Sequence, residues 1–236
     1  MRSITKFLIP VMAASFAITL FSCNSSSDEK KEEKKTGDST AVVETKPFKL
    51  LVVQHKVADF AKWKAGYLAH DSMRTAYGLS QFRLGRGLDD SNLVIVINKM
   101  SDVQKAKEFA ASPNLKDAMR KAGVISQPTI SYIDLVRADT SMLAQQERIM
   151  VTHKVKDFDT WLKAYDAEGK ATRASFGIVD RVLGRSTDDP NMVYLVFAIT
   201  DMAKAKARFS SPELKKIMTD AGVEGPPTSV LFKLGQ

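Results

Sequence analysis

Short runs of apolar residues alternate along the chain with stretches in which apolar residues recur every three or four positions. The short runs predict strands, whereas the periodic stretches predict helices that bury one face. The order strand, helix, strand, strand, helix, strand occurs twice. The predicted strands cover residues 50–56, 80–86, 93–97 and 129–135 in the first occurrence, and residues 149–154, 179–185, 192–197 and 228–234 in the second.

The first helix of each copy carries three aromatic residues at positions i, i+3 and i+7, which lie on one helical face. Asp157 is the predicted N-cap in the second copy, and each helix is predicted to run to a glycine, Gly78 or Gly177. The second helix is predicted to break where a serine cap precedes a proline. The aromatic residues are Phe60, Trp63 and Tyr67, then Phe158, Trp161 and Tyr165, and the breaks fall at Ser112-Pro113 and Ser211-Pro212.

The two occurrences are copies of one sequence. His55-Lys56-Val57 returns as His153-Lys154-Val155 at an offset of 98 residues, and from Arg74 and Arg173 onward the offset is 99. One residue is therefore gained within the first helix. The period exceeds the ~20–50 residues of solenoid repeats, so the sequence indicates a small domain that was duplicated and fused. Later matches pair Leu84-Gly85-Arg86 with Leu183-Gly184-Arg185, and Ala122-Gly123-Val124 with Ala221-Gly222-Val223.

The third strand of each copy determines how the copies combine. Residues 93–97 and 192–197 are apolar on both faces, and such a strand must be covered on both sides. In the ferredoxin-like β-α-β-β-α-β arrangement the helices cover one sheet face only. We therefore predict an α+β fold in which two ferredoxin-like repeats close one pseudo-symmetric barrel within a single chain. Its interior is expected to hold a ligand, and further association of this barrel is left open.

The run His-Lys-Val-x-Asp-Phe-x-x-Trp, followed by Leu-Gly-Arg, Asp-Asp-x-Asn, Ser-Pro-x-Leu-Lys and Ala-Gly-Val, resembles the dimeric α+β barrel superfamily. The similarity covers residues 51–135 and 149–234. It is to small proteins related to antibiotic-biosynthesis monooxygenases, often labelled cyclases. The resemblance implies a barrel that relatives form as a homodimer, so that the duplication supplies both halves covalently. Related barrels include haem-degrading enzymes. The Asn, Trp and Arg set of the cofactor-free oxygenases is not recognisable here at matching positions.

The amino-terminal segment predicts export and lipid anchoring. Arg2 and Lys6 precede an apolar run, residues 7–21, that is shorter than the ~20 residues of a membrane span but typical of a secretory signal. Cys23 is the single cysteine, and its place directly after this run resembles a bacterial lipobox, with an ordinary signal peptide as the alternative. We expect a lipoprotein of the cell envelope, anchored in the outer membrane. Exposure at the cell surface is left open. The predicted divisions are a signal peptide (1–22), a polar tether (23–47), the first repeat (48–136), a linker (137–148) and the second repeat (149–236).

Charge excludes one class of partner. The formal net charge of +8 includes Arg2 and Lys6, which leave with the signal peptide, so the mature chain carries about +6. The lysines fall mostly on helix faces and in the tether, without a basic stripe interleaved with aromatic residues. Nucleic-acid binding is therefore not expected.

His55 and His153 are the first candidates for chemistry, because each shares a strand face with apolar residues only. Such a histidine serves either as an acid/base or ligand contact, or as a structural core histidine. No carboxylate or cysteine accompanies the pair at ligand spacing, so we expect no metal site and no cofactor. The third histidine, His70, has no histidine counterpart in the second copy.

Two further sets recur in both copies. Trp63, Trp161, Tyr67 and Tyr165 either pack in the core or line one end of the cavity. Arg86 and Arg185 end the second strand of each copy, where an arginine either clamps an anionic ligand or pairs with Asp89 or Asp188 to lock a turn. Catalytic residues are not identified beyond the candidates His55 and His153.

Three functions fit these features. The first is a lipid-anchored envelope protein whose fused barrel binds a small, partly apolar ligand. The second is a cofactor-independent oxygenase, isomerase or cyclase with His55 or His153 as acid/base. The third is a module for interaction with other envelope proteins. No phosphate loop, nucleophile triad or dinucleotide motif appears in the sequence.

Overall fold

A computed structural model describes residues 48–235 of the chain. The first repeat consists of β1 (Lys49–Lys56), α1 (Phe60–Ala69), α2 (Asp71–Ala76), β2 (Leu79–Gly87), β3 (Leu93–Met100), α3 (Val103–Ala111), α4 (Pro113–Lys121) and β4 (Thr129–Ala138). The second consists of β5 (Glu147–Val155), α5 (Phe158–Glu168), α6 (Lys170–Ser175), β6 (Ile178–Ser186), β7 (Met192–Ile199), α7 (Met202–Phe209), α8 (Pro212–Asp220) and β8 (Val223–Leu234). The predicted α+β fold with two β-α-β-β-α-β repeats is confirmed.

The helices begin where the sequence predicts. Asp157 caps α5 by accepting a hydrogen bond from the backbone N–H of Thr160 at 2.8 Å. The serine–proline breaks also hold: Ser211 accepts from the backbone N–H of Leu214 at 3.1 Å, with Pro212 as the first residue of α8. These caps satisfy backbone donors that would otherwise lack partners at a helix start.

The first helix of each repeat is not continuous, contrary to the prediction. It divides into α1 and α2 at His70, and into α5 and α6 at Gly169. Gly169 adopts φ 82° and ψ 150°, a conformation that is essentially restricted to glycine. The break therefore lies in the same segment as the one-residue offset between the copies.

All strands pair antiparallel and form one closed barrel in the order β1-β3-β2-β8-β5-β7-β6-β4. The last strand of each repeat pairs with the second strand of the other repeat, so that β8 joins β2 and β4 joins β6. Each repeat thus supplies one half of a barrel that neither closes alone.

The glycines of the repeated Leu-Gly-Arg motif lie at these two junctions. A Cβ added to Gly85 would lie 2.5 Å from the ring of Phe232, and one added to Gly184 would lie 2.5 Å from a methyl group of Ile133. Glycine is therefore required there for close packing of one repeat on the other.

The doubly apolar third strands are covered on both faces, as predicted. Ile95 and Ile97 of β3 belong to a buried cluster inside the barrel, whereas Val94 and Val96 pack beneath the helices. The interior cluster draws on both repeats and comprises Leu50, Val52, Ile95, Ile97, Ile133, Met150 and Phe232. The expectation of a ligand space inside the barrel therefore needs correction. Apolar side chains occupy the interior, and the two cavities described below lie between the sheet and its helices.

Candidate functional site

Each repeat arranges four side chains in a row between sheet and helices. In the second repeat, His153 of β5 lies 5.3 Å from Trp161 of α5, measured between ring centroids, and Trp161 stacks on Tyr165 at 5.1 Å. The guanidinium carbon of Arg173, from α6, lies 3.8 Å from the Tyr165 ring centroid. The first repeat forms the same row from His55, Trp63, Tyr67 and Arg74. All of these residues are matching positions of the two copies, and the structure brings each set of four together.

The two histidines are buried and chemically isolated. His55 is 4% exposed and His153 is 6% exposed, and none of their ring nitrogens has a hydrogen-bond partner within the described part of the protein. Desolvation by burial lowers the pKa of each from 6.5 to about 4. Each imidazole is therefore neutral at physiological pH, with one donor and one acceptor nitrogen.

The second repeat encloses a cavity of about 440 Å³ between its sheet and its helices. This volume lies in the range of small-molecule sites, ~300–1,000 Å³. The sheet forms the floor of the cavity and includes His153, and most of the residues that line the cavity are apolar. The floor includes Ile149, Val151, His153, Ile178, Leu195, Phe197 and Leu231, and the helices contribute Trp161, Ala164, Tyr165, Glu168, Arg173, Lys206, Arg208, Phe209, Leu214, Ile217 and Met218.

The corresponding cavity in the first repeat measures only about 70 Å³. It contains His55, so the two histidines line separate cavities and do not meet in one site. One substitution places an aromatic ring beside the first cavity and a charged side chain beside the second. Phe109 of α3 occupies the position of Arg208 in α7 and packs its ring 5.6 Å from Tyr77. Arg208 instead directs its guanidinium to carboxylates at the edge of the cavity.

Two other substitutions close the first cavity and open the second. Gly66 of α1 allows α4 to approach so closely that an added Cβ would lie 3.1 Å from that of Ala122, whereas the second repeat has Ala164 at this position. His70 lines the first cavity and bonds the Gly66 carbonyl at 2.7 Å. Gly169 terminates the equivalent helix and places no side chain there.

A buried ionic network forms one end of the second cavity. Arg173 binds Asp180 through two hydrogen bonds of 2.8 and 2.7 Å, and it also donates to Glu168 at 3.2 Å. Arg208 donates to Glu168 at 2.8 Å and to Glu213 at 3.0 Å. Burial, the largest single effect, would lower the pKa of Arg173, but the hydrogen bonds and charge of Asp180 together with the hydrogen bond to Glu168 raise this pKa. The network fixes Arg173 as a permanent cation.

The tyrosine hydroxyls differ between the repeats. Tyr67 donates to the buried Asn98 at 3.2 Å, but Phe197 replaces this asparagine in the second repeat. Burial, assisted by the negative charge of Asp180, raises the pKa of Tyr165. Tyr165 thus brings a neutral hydroxyl to the cavity, with the carboxylate of Asp180 in place of the asparagine that Tyr67 uses.

The remaining predicted residues lie elsewhere. Arg86 and Arg185 line neither cavity, and their guanidinium carbons lie 4.7 and 4.8 Å from the rings of Phe60 and Phe158. Arg86 donates to the backbone carbonyl of Ser91. In each repeat a different ion pair holds the turn between the second and third strands: Lys56 with Asp90 in the first repeat, and Lys154 with Asp189 in the second. Cys23 lies outside the described residues.

Glu168, Asp180 and Arg208 were not identified from the sequence. Identical residues in the two copies were taken as candidates, and these three positions differ. Gln81 is the counterpart of Asp180, and Phe109 is the counterpart of Arg208. The signal available in the sequence was the appearance of charge at positions that are neutral in the other copy.

The described residues contain no group of three or more His, Cys, Asp or Glu side chains that could hold a metal ion. Within residues 48–235, no helix is long and apolar enough to span a membrane.

Comparisons with known proteins show the fold. A scan against protein-family models and a search of curated proteins both give no match. Solved structures share the fold, in which ferredoxin-like repeats form an α+β barrel.

Three solved structures illustrate this similarity. An anthrone oxidase-like protein has a TM-score of 0.54 at 11% identity, with 80% of this chain and 92% of that chain covered. Candidate monooxygenases from Lactobacillus acidophilus and Fusobacterium nucleatum have TM-scores of 0.51 and 0.50 at 15% and 13% identity, each covering 80% of this chain and 93% of its own. Each match covers more of this chain than one repeat contains.

Proposed function

We propose that the protein binds a small, largely apolar molecule in the cavity of the second repeat. The observation that carries this proposal is the His153 imidazole, which is buried, neutral and without a protein partner in a cavity of about 440 Å³. A buried polar group without a hydrogen bond loses about 1–3 kcal/mol. A ligand that displaces the side chains covering the ring nitrogens of His153 and offers one donor or acceptor recovers this loss, while its apolar surface contacts Trp161 and the residues of α8.

Fluorescence titration with the neutral apolar dye N-phenyl-1-naphthylamine tests this proposal. We expect one dye molecule per chain and a large increase in dye emission, because the dye leaves water for an apolar cavity. Leu214→Trp extends an indole into the second cavity and should weaken binding by about tenfold through overpacking.

The matched control is Leu115→Trp at the equivalent position of the first cavity. This variant should keep the dye affinity within about twofold, with its fold checked by circular dichroism. If it does not fold, the smaller change Leu115→Met takes its place. Equal loss of affinity in the two variants would contradict a site in the second repeat.

A second candidate is catalysis by His153 in a cofactor-independent oxygenase, isomerase or cyclase. The neutral imidazole inside the cavity favours it, but a general base works best when its pKa lies near the operating pH. With a pKa of about 4, His153 is a weak base at neutral pH, so binding is the better-supported function. Nuclear magnetic resonance titration of His153 with bound dye separates the two: catalysis requires that a ligand raise this pKa toward neutrality.

We also propose that Cys23 anchors this domain to the cell envelope through a lipid. The support is the lone cysteine directly after an apolar run of residues 7–21. Metabolic labelling with a palmitate analogue should mark the protein and should be lost in Cys23→Ala. Labelling that persists in this variant would refute the anchor.

A further inference from the structure

The charges that line the second cavity are unbalanced toward the positive. Arg173, Lys206 and Arg208 line it, against the single carboxylate of Glu168. Asp180 lies behind Arg173 and holds it through two hydrogen bonds. Within the buried network the guanidiniums of Arg173 and Arg208 are matched by the carboxylates of Glu168 and Asp180, so the exposed Lys206 is the lining cation without a matching buried carboxylate.

The third carboxylate that contacts the network lies in solvent. Glu213 accepts from Arg208 at 3.0 Å, but its side chain is 73% exposed. Water and salt screen an ion pair at such a position, so its contribution is small. Glu213 therefore offsets little of the positive charge at this end of the cavity.

Lys206 marks the end of the cavity that opens to solvent. It is exposed, lines the cavity and forms no ion pair within residues 48–235. The equivalent residue of the first repeat, Lys107, forms an ion pair with Asp188. The lysine of the second repeat is thus available at the cavity mouth, whereas its counterpart is engaged by a carboxylate.

We propose that the ligand carries an anionic group on its apolar body, and that Lys206 holds this group at the cavity mouth. The apolar body extends inward toward Trp161 and His153. The ligand class is then an amphipathic acid, with a carboxylate or a phosphate as the anionic end. This inference rests on the proposed binding function and adds the charge and the orientation of the ligand.

Two dyes with the same aromatic skeleton test the inference. N-phenyl-1-naphthylamine is neutral, and 1-anilinonaphthalene-8-sulfonate adds one anionic group. We expect the anionic dye to bind more tightly at low salt and to lose this advantage as the salt concentration rises. In Lys206→Met the affinity for the anionic dye should fall by about tenfold, while that for the neutral dye should change by less than about twofold. Lys107→Met is the matched control and should alter neither.

The outcomes separate this inference from the proposed function. If neither dye binds, the proposed function fails. If both bind and Lys206→Met changes neither affinity, or changes both equally, the anionic-ligand inference is overturned while the binding function stands. Displacement of the anionic dye by dodecanoate, dodecyl phosphate or dodecanol then identifies the end group. If dodecanol displaces the anionic dye as effectively as the two acids do, the inference is also overturned.

Discussion

Each buried histidine is held against a tryptophan but receives no hydrogen bond, and this combination determines how the residue responds to pH. The sequence revealed both histidines and the aromatic rows beside them, because these residues are identical in the two copies. The charges that shape the second cavity were not visible in the same way. Arg208 and Asp180 have neutral counterparts, and only their positions in space show that they converge with Glu168 on one cavity.

The folded protein should lose stability as the pH falls from about 6.5 to about 4. The pKa of each histidine is lowered from 6.5 to about 4 in the folded state, so the unfolded chain takes up protons first. Stability from this source is fully present above the unfolded pKa and is lost below it. The shift corresponds to roughly 3 kcal/mol for each histidine.

His153→Phe should remove the share of this pH dependence that belongs to His153, since it keeps an aromatic ring beside Trp161 without a titrating nitrogen. Urea unfolding at a series of pH values measures it. Carboxylates such as Asp157 and Asp189 have pKa values below their ordinary 3.8, so their effects fall at lower pH. A slope between pH 6.5 and 4 that equals that of the unsubstituted protein would refute this explanation.

At the scale of elements, the helices that cover the sheet are short pieces joined by caps. The serine–proline break between α7 and α8 was predictable, because its two residues carry the signal by themselves. The break at His70 and Gly169 was not, since neither helix sequence contains a proline there. Only the one-residue offset between the copies indicated that this segment is irregular.

The start of α8 should be important for the cavity. Ser211 accepts from the N–H of Leu214 and donates to the carbonyl of Arg208, and α8 provides Leu214, Ile217 and Met218 to the cavity. Ser211→Ala should lower the free energy of unfolding by about 1 kcal/mol. It should also accelerate hydrogen exchange at the first amides of α8 and weaken dye binding.

Ser112→Ala removes the matching cap of α4, where Ser112 accepts from the N–H of Leu115 at 3.2 Å. The stability cost should be similar, but dye binding should be unaffected because α4 covers the small cavity. Weaker dye binding in both variants, to the same extent, would show that the effect is not specific to the second repeat.

At the scale of the whole molecule, the repeats are interlocked rather than adjacent. The sequence predicted one barrel from the doubly apolar third strands, and the pairing of β8 with β2 and of β4 with β6 confirms it. The location of the large cavity was not predictable from the sequence, because it depends on how tightly the helices of each repeat pack on the sheet. Gly66 and Phe109 close one layer, and their counterparts open the other.

Because each repeat closes the barrel of the other, the chain should unfold in one cooperative transition. The two tryptophans lie in different repeats, so Trp63→Phe and Trp161→Phe each leave one reporter. Within each variant, tryptophan fluorescence and circular dichroism should give the same denaturation midpoint. Fluorescence and dichroism midpoints that separate in either variant would show that the repeats unfold independently.

The central claim, that the second repeat binds a small apolar molecule beneath α5 to α8, is tested most directly by a crystal structure with N-phenyl-1-naphthylamine. We expect one dye molecule per chain, between His153 and Leu214 and in contact with Trp161. Dye inside the barrel among Ile95 and Phe232, or dye only on the protein surface, would contradict the claim.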